Sequence, residues 1–314
     1  MSEVAAGRDY YGKALVELGS ENPKVVVLDA DLSCSTRTSM FAKAFPQRFF
    51  NVGIAEQNCI GIAAGLANVG KVVFASSFAM FITGRAWEQI RNSVAYPRLN
   101  VKIAATHAGI TVGEDGASHQ ALEDITIMRA IPNMQVLVPA DAIEAYQMIK
   151  QIADIYGPFY IRISRGNSPL IYKDTAYNFQ LGKADVLREG KDVAIVARGI
   201  MVDMALKAAA ELWSKDKIKA TVVNLSSIKP VDVETLVAVA KNTGCIVTAE
   251  EHSVIGGLGS VVAEVLAQHY PVPIEMLGVN GVFGESGKPE ALLEKHSLNV
   301  KGIVDKVKKV RERK

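Results

Sequence analysis

Short runs of β-branched and other apolar residues alternate along this chain with amphipathic stretches of roughly 10–18 residues, the pattern of βαβ units built on a parallel sheet. In the first half, runs at 25–31, 72–76, 101–106, 136–139 and 159–164 predict strands. Most are almost continuously apolar, as strands covered by helices on both faces must be. Amphipathic segments near 4–19, 36–44, 56–68, 79–95, 119–130 and 141–156 predict the intervening helices. Asp141 stands where an N-cap should, and Glu144 three residues later completes a capping box. The alternation lapses over 169–183 (PLIYKDTAYNFQLGK), which has no period and several turn formers. It resumes with strands at 193–197, 220–224, 245–249 and 274–277, and helices near 202–214, 232–241, 257–269 and 301–312. The pattern therefore predicts an α/β domain over 1–170, with a parallel sheet and helices on both faces. A linker at 171–185 and a smaller α/β domain over 186–314 follow.

Length and charge trim this picture only slightly. The 314 residues suit two domains. Lys and Arg number 35 against 33 Asp and Glu, a net charge of +2, which excludes a strong basic footprint for nucleic acid. No apolar run reaches the ~18 residues of a membrane span, and Glu3, Arg8, Asp9, Lys13 and Glu17 interrupt any signal-like apolar stretch at the start. Cys34, Cys59 and Cys245 are scattered and form no metal-binding pattern, as in a reducing compartment. A cytoplasmic protein with neither nucleic-acid nor membrane partners is expected.

Four clusters carry unusual chemistry. In 51–57 (NVGIAEQ), Glu56 begins a helix whose continuation, NCIGIAAGLANVG, is uncharged and expected to be buried. A carboxylate there is costly unless paired, hydrogen-bonded or protonated. It is either a first-turn Glu favoured by the helix dipole or a Glu held in a dry site to exchange a proton with a bound base. In 76–81 (SSFAMF), Phe78 and Phe81 are either core residues or an aromatic wall beside a cleft at the strand ends. The segment 106–120 (THAGITVGEDGASHQ) gathers His107, His119, Glu114, Asp115 and three glycines after a strand end, where sites are commonly built. Arg165, in SRGN, closes another strand, as a surface residue or as a grip for a carboxylate or phosphate.

In this order and spacing, GIAEQ, SFAMF, GEDGASHQ and SRGN resemble the transketolase family of thiamine-diphosphate enzymes. SSIKPVD (226–232) and EEHSVIGGLGS (250–260) extend the likeness to nearly the whole chain. The resemblance implies a pyrimidine-binding domain followed by the family's C-terminal domain, and transfer of a two-carbon ketol unit from a ketose phosphate to an aldose phosphate. It implies that Glu56 hydrogen-bonds the aminopyrimidine ring nitrogen of the cofactor, whose imino form then takes the thiazolium C2 proton. Phe81 would stack on the pyrimidine, with Phe78 beside it. Asp115 and His119 match the pair that binds ketose hydroxyls around the reacting carbon, His119 joining Glu56 as a catalytic residue. His107 and Arg165 match phosphate-end ligands, Ser35 and Arg8 occupy the places of two more, and Asp31 sits where the family has an acid near the cofactor.

The pattern departs in one place. The family fixes the diphosphate and its Mg²⁺ through a GDG-containing segment ending in Asn, in a domain ahead of these two, and this sequence has none. The resemblance therefore implies the C-terminal subunit of a split, two-chain transketolase. Such a chain acts only with an N-terminal subunit that holds the diphosphate and Mg²⁺, most simply as an α2β2 assembly with self-dimer contacts, and no metal ligand is assigned here. The nearest alternatives are the β subunit of a 2-oxoacid dehydrogenase and 1-deoxyxylulose-5-phosphate synthase; offering a ketose phosphate with an aldose, then pyruvate, separates them. A silent binding subunit would have lost Glu56, Phe81, Asp115 and His119, and a nucleotide-binding module would carry a GxGxxG or P-loop. His252 beside Glu250 and Glu251 is expected to be a charged strand-end cluster, and the second domain to supply subunit contacts rather than chemistry.

Overall fold

A computed structural model describes residues 3–172 and 177–314; residues 1, 2 and 173–176, the last four within the expected linker, lie outside the described residues. Among the described residues the strands form a seven-stranded sheet, a five-stranded sheet and a two-stranded ribbon. The first sheet runs Ser227–Lys229, Gln135–Leu137, Phe159–Arg162, Val101–Thr106, Val72–Phe78, Val25–Asp29, Phe49–Asn51. Its pairs are parallel except at the Ser227–Lys229 edge. Val72–Phe78 and Val101–Thr106 are buried at every position, which is why they read as largely apolar runs, interrupted only by Ser76, Ser77, Lys102 and Thr106. The second sheet runs Ile274–Val279, Ile246–Ser253, Val193–Ala197, Ala220–Asn224, Asp185–Arg188, the last antiparallel. The α/β class expected from the alternation is what the chain adopts. Among the described residues, no helix is long and apolar enough to cross a membrane.

Several elements differ from the expected ones for identifiable reasons. The first helix starts at Gly7, because Val4–Ala6 is drawn into an antiparallel ribbon with Asn167–Pro169. The helix expected over 36–44 is split into Ser33–Thr36 and Ser39–Ala44 by Arg37, whose φ of 69° is left-handed. The one expected over 79–95 breaks at Ala86 and ends as a π-helix over Ile90–Ala95. That over 119–130 shrinks to Asp124–Arg129, since Ala121 bridges Ala108 and belongs to the preceding loop. Glu56–Asn68 buries only one face: Cys59, Ile60, Ala63 and Ala67 pack into the core, while Gln57, Asn58, Gly61 and Gly65 are exposed. Asp141 does cap its helix, accepting from Glu144 N at 2.8 Å, but the Glu144 carboxylate accepts from Ala140 N at 2.6 Å rather than from the cap's own N–H.

Two features lock the halves together. Ser227–Lys229, from beyond the linker, adds an edge strand to the first sheet. Glu250, Glu251 and His252 lie inside Ile246–Ser253 and are fully buried, not at a strand end as expected. Glu251 and His252 face charged groups of the first half, Arg162 and Asp124, while Glu250 pairs with Arg198 of the second half. Arg162 Nε donates to Asp124 Oδ2 at 2.9 Å, Tyr160 OH donates to the same oxygen at 2.6 Å, and Arg162 stands 3.7 Å from Glu251 Oε1. Arg198 donates to Glu250 Oε2 at 2.6 Å. Burial, followed by the Asp124 charge that opposes it, leaves the His252 imidazole pushed down to about 4. Charges this deep persist only when paired, so the network fixes how the second half seats on the first.

Candidate active site

Apart from Arg8, which follows the ribbon strand Val4–Ala6, every candidate residue of the first half lies at or beyond the carboxyl end of a strand of the parallel sheet, the edge at which such sheets bind ligands. Register places Phe78 opposite Thr106, so the residues that follow these two strands emerge side by side. The result is an aromatic cluster. The Phe78 ring stacks on His107 with centroids 3.9 Å apart, Phe81 lies 6.3 Å from Phe78, and His119 meets Phe81 edge-on at 5.0 Å. Phe78, Phe81, His107 and His119 are thus one surface.

Glu56 opens its helix after Ala55, whose extended φ of −150° turns the chain inward, and it is only 4% exposed. Both carboxylate oxygens face Arg85 Nη1, at 3.3 and 3.2 Å. The same guanidinium lies over the Phe81 ring at 4.5 Å. Glu56, Gln57, Asn58, Ile54, Ala55 and Arg85 line an open cleft of about 510 Å³. The apolar, dry setting expected for Glu56 is therefore present behind the carboxylate but not in front of it. Beneath, burial and then the nearby acids Asp29 and Glu56 push the Cys59 thiol up to about 12. Arg85 carried no expectation from sequence, because its role depends on a helix crossing.

The anion-end candidates also converge. Arg8 Nη1 donates to the Ser35 carbonyl at 3.1 Å, so these two meet through the backbone of Ser35 rather than its hydroxyl. Burial, followed by Arg37, lowers the Arg8 pKa, and Arg165 adds to the same field. His107 is pushed down to about 3, first by burial and then by Arg8 and Arg165, and Thr106 Oγ1 lies 2.9 Å from its Nδ1. It is a neutral imidazole able to offer a hydrogen bond rather than a charge. Arg165 donates to the Val112 carbonyl and stands 3.5 Å from Asp115 Oδ2 and 3.9 Å from Glu114 Oε2. Asp115 and Arg165, assigned to opposite ends of a substrate, are here engaged with each other. His119 Nδ1 is 3.0 Å from Ser118 Oγ.

Asp31 has a left-handed φ of 64° and accepts from Asn51 Nδ2 at 2.8 Å, tying it to the turn that leads to Glu56. The buried acid nearby is Asp29, which sequence reading passed over. It accepts from Leu32 N at 2.5 Å, Thr36 Oγ1 at 2.7 Å and Thr38 Oγ1 at 2.8 Å, and fixes the turn that carries Ser35. Its signal was available: a carboxylate ending the apolar run VVVLD. Among the described residues, no group of three or more His, Cys, Asp or Glu is arranged to hold a metal ion.

With this geometry, comparison with known proteins is decisive about family. The profile of the transketolase pyrimidine-binding domain matches residues 3–170, and that of the transketolase C-terminal domain matches 182–303. The chain belongs to the transketolase family, whose members in general depend on thiamine diphosphate. It is 52% identical over 302 residues to a Methanocaldococcus jannaschii protein whose name carries the words transketolase C-terminal section, covering 96% of this chain and 94% of that one. It is 44% identical over 308 residues to a 6-deoxy-6-sulfo-D-fructose transketolase subunit of Clostridium, covering 98% and 95%. Among solved structures, a split-gene transketolase described as an inactive β4 tetramer superposes with a TM-score of 0.92 at 59% identity, covering 98% of each chain.

Proposed function

We propose that this chain is the C-terminal subunit of a two-chain, thiamine-diphosphate-dependent transketolase, moving a two-carbon ketol unit from a ketose phosphate to an aldose phosphate. The observation that carries the reading is Glu56: a buried carboxylate whose open side faces a cleft lined by Arg85, the guanidinium of which lies over the Phe81 ring. A flat heteroaromatic ring would take the place of the half-exposed Arg85 guanidinium, which now covers the Phe81 face and pairs with Glu56, leaving Phe81 as its stacking face and Glu56 as partner to a ring nitrogen. When bound, the cofactor supplies the electron sink that lets the bond beside a ketose carbonyl break. Glu56 holds the proton shared with that ring nitrogen, and burial keeps it from exchanging freely with water. His119, seated against Phe81, faces the reacting carbon and, with Asp115, receives the ketose hydroxyls. Arg8, Arg165 and the neutral His107 make a positive, hydrogen-bonding end for the anionic terminus; the Clostridium relative's sulfo-sugar name fits such an end. Asp115 must leave Arg165 when both engage substrate.

The diphosphate and Mg²⁺ ligands are assigned to an N-terminal subunit, because no GDG…N segment is present in this sequence. Relatives named as subunits support that partner, and α2β2 is its simplest assembly. The test is reconstitution. The chain mixed with thiamine diphosphate and Mg²⁺ should not transfer ketol units, and addition of a diphosphate-binding subunit should switch transfer on. Robust turnover by the single chain would overturn the proposal.

A further inference from the structure

The geometry points to Glu251, from the second sheet, as the positioning residue that sets the anion-binding end of the site. It rests on the reading above for the assignment of His107 and Arg165 to that end. Glu251 is 1% exposed. Its Oε2 accepts from Thr111 Oγ1 at 2.6 Å and from Thr111 N at 3.3 Å. Its Oε1 accepts from Ser164 Oγ at 3.0 Å. Thr111 lies in the loop between His107 and Asp115, and Ser164 directly precedes Arg165. One carboxylate therefore ties together the two segments that carry the anion-end candidates.

The loop is wrapped onto this group. Gly109 has a φ of +87°, and a Cβ there would sit 2.5 Å from the Glu251 carboxyl carbon, so only glycine lets the backbone cross so closely. The far end of the same loop is also held by the second half: Gln120 Nε2 donates to the Glu285 carbonyl at 2.9 Å, and Ser286 Oγ donates to the Glu114 carbonyl at 2.7 Å. A carboxylate serving only as ionic glue would turn its lone pairs to Arg162. Here Arg162 Nη1 stands off at 3.7 Å, while Thr111 and Ser164 hold the short bonds. The second domain thus shapes substrate recognition without touching substrate.

The experiment uses the full chain in complex with its diphosphate-binding subunit. Inorganic phosphate is titrated calorimetrically, and KM and kcat are measured for a phosphorylated and an unphosphorylated ketose donor. Thr111→Val removes the hydroxyl bond alone, Glu251→Gln weakens both anchors, and Thr111→Ser keeps the hydroxyl. Loss of one charge-assisted bond should weaken phosphate binding roughly tenfold in Thr111→Val. KM for the phosphorylated donor should rise in step, with kcat and the unphosphorylated donor unchanged, and Thr111→Ser should restore wild-type behaviour. Unchanged phosphate affinity in Thr111→Val, equal losses for both donors, or no phosphate binding by the wild-type complex would overturn the assignment. A complex that binds phosphate in a Thr111-dependent way yet transfers no ketol unit would sustain it and refute the proposed function instead.

Discussion

Replacing Glu144 with glutamine should make the protein more stable at pH 8 than at pH 5, relative to wild type. Glu144 is completely buried between the two halves. It accepts from Ala140 N, from Asn224 Nδ2 at 3.1 and 3.0 Å, and from Tyr177 OH at 3.2 Å. Burial outweighs these bonds and raises its pKa from 4.5 to about 7. The folded state therefore keeps a proton that the unfolded state has released. Stability from this group is fully present below pH 4.5, falls as pH rises, and is gone once pH passes about 7. The gap between the two values corresponds to a loss of about 3 kcal/mol at most. Glutamine retains the acceptor for Ala140 N and carries no charge to desolvate. Its amide would face Asn224, whose Oδ1 has no partner, so a turned Asn224 amide can accept from it. Urea unfolding followed by circular dichroism at a series of pH values gives the difference between variant and wild type. That difference should shift in favour of Glu144→Gln by about 2–3 kcal/mol from pH 5 to pH 8. A difference that stays flat across this range would refute the reasoning.

Other outcomes follow from the site and the interior network. Glu56→Gln should lower turnover of the reconstituted enzyme by at least about a hundredfold. It should change unfolding free energy by less than about 1 kcal/mol, because its partner Arg85 is 55% exposed and solvent screens the pair; unchanged turnover would remove Glu56 from its role. His119→Ala should reduce turnover much less than Glu56→Gln, since it trims substrate hydrogen bonds, and a parallel assay of the two variants checks the order. Arg162→Met should destabilise the fold by about 3–5 kcal/mol in denaturant titration, because it leaves the buried Asp124 without its bonded cation and removes the nearby positive charge from Glu251, which keeps its Thr111 and Ser164 bonds. A loss below about 1 kcal/mol would mean these acids find other partners or protonate easily.

The central strands were legible because burial on both faces leaves mostly apolar runs, as in Val25–Asp29 and, despite the buried Lys102, Val101–Thr106. The short pairings were not. Val4–Ala6, Phe49–Asn51, Asn167–Pro169 and Ser227–Lys229 are three residues each, too short for a period, and their partners lie far away in sequence. Site residues followed the same division. Phe78, Phe81 and His107 stand within a few residues of predicted strand ends, so topology gathers them, and His119 joins them only because the loop after His107 folds back. Glu251 meets Thr111 across 140 positions, and nothing local separates it from Glu250. Arg162 could have been flagged, since a charged residue in the otherwise apolar strand Phe159–Arg162 demands a buried partner.

The proposed second chain has a physical task beyond holding a diphosphate. Glu56 must share a proton with a ring nitrogen, and that requires the carboxyl to be dry on the side where the ring lies. Here the interior side is dry, but the cleft is open and a half-exposed arginine neutralises the charge. Around it, Ile54 is 77% and Val69 71% exposed, and Gly61 and Gly65 have no neighbour within 4 Å of where a Cβ would stand. An uncharged helix face beside a half-dried carboxylate is a wall waiting for its opposite. Closing it would strip water from the cleft, and with the exposed Arg85 displaced by the ring, the dry surroundings would raise the cost of an ionised Glu56 and favour a carboxyl that shares its proton with the ring nitrogen. If the proposed function holds, subunit assembly is the step that would convert Glu56 from a carboxylate paired with a half-exposed arginine into a proton carrier, so a Glu56-dependent step should appear only when the second chain closes the cleft.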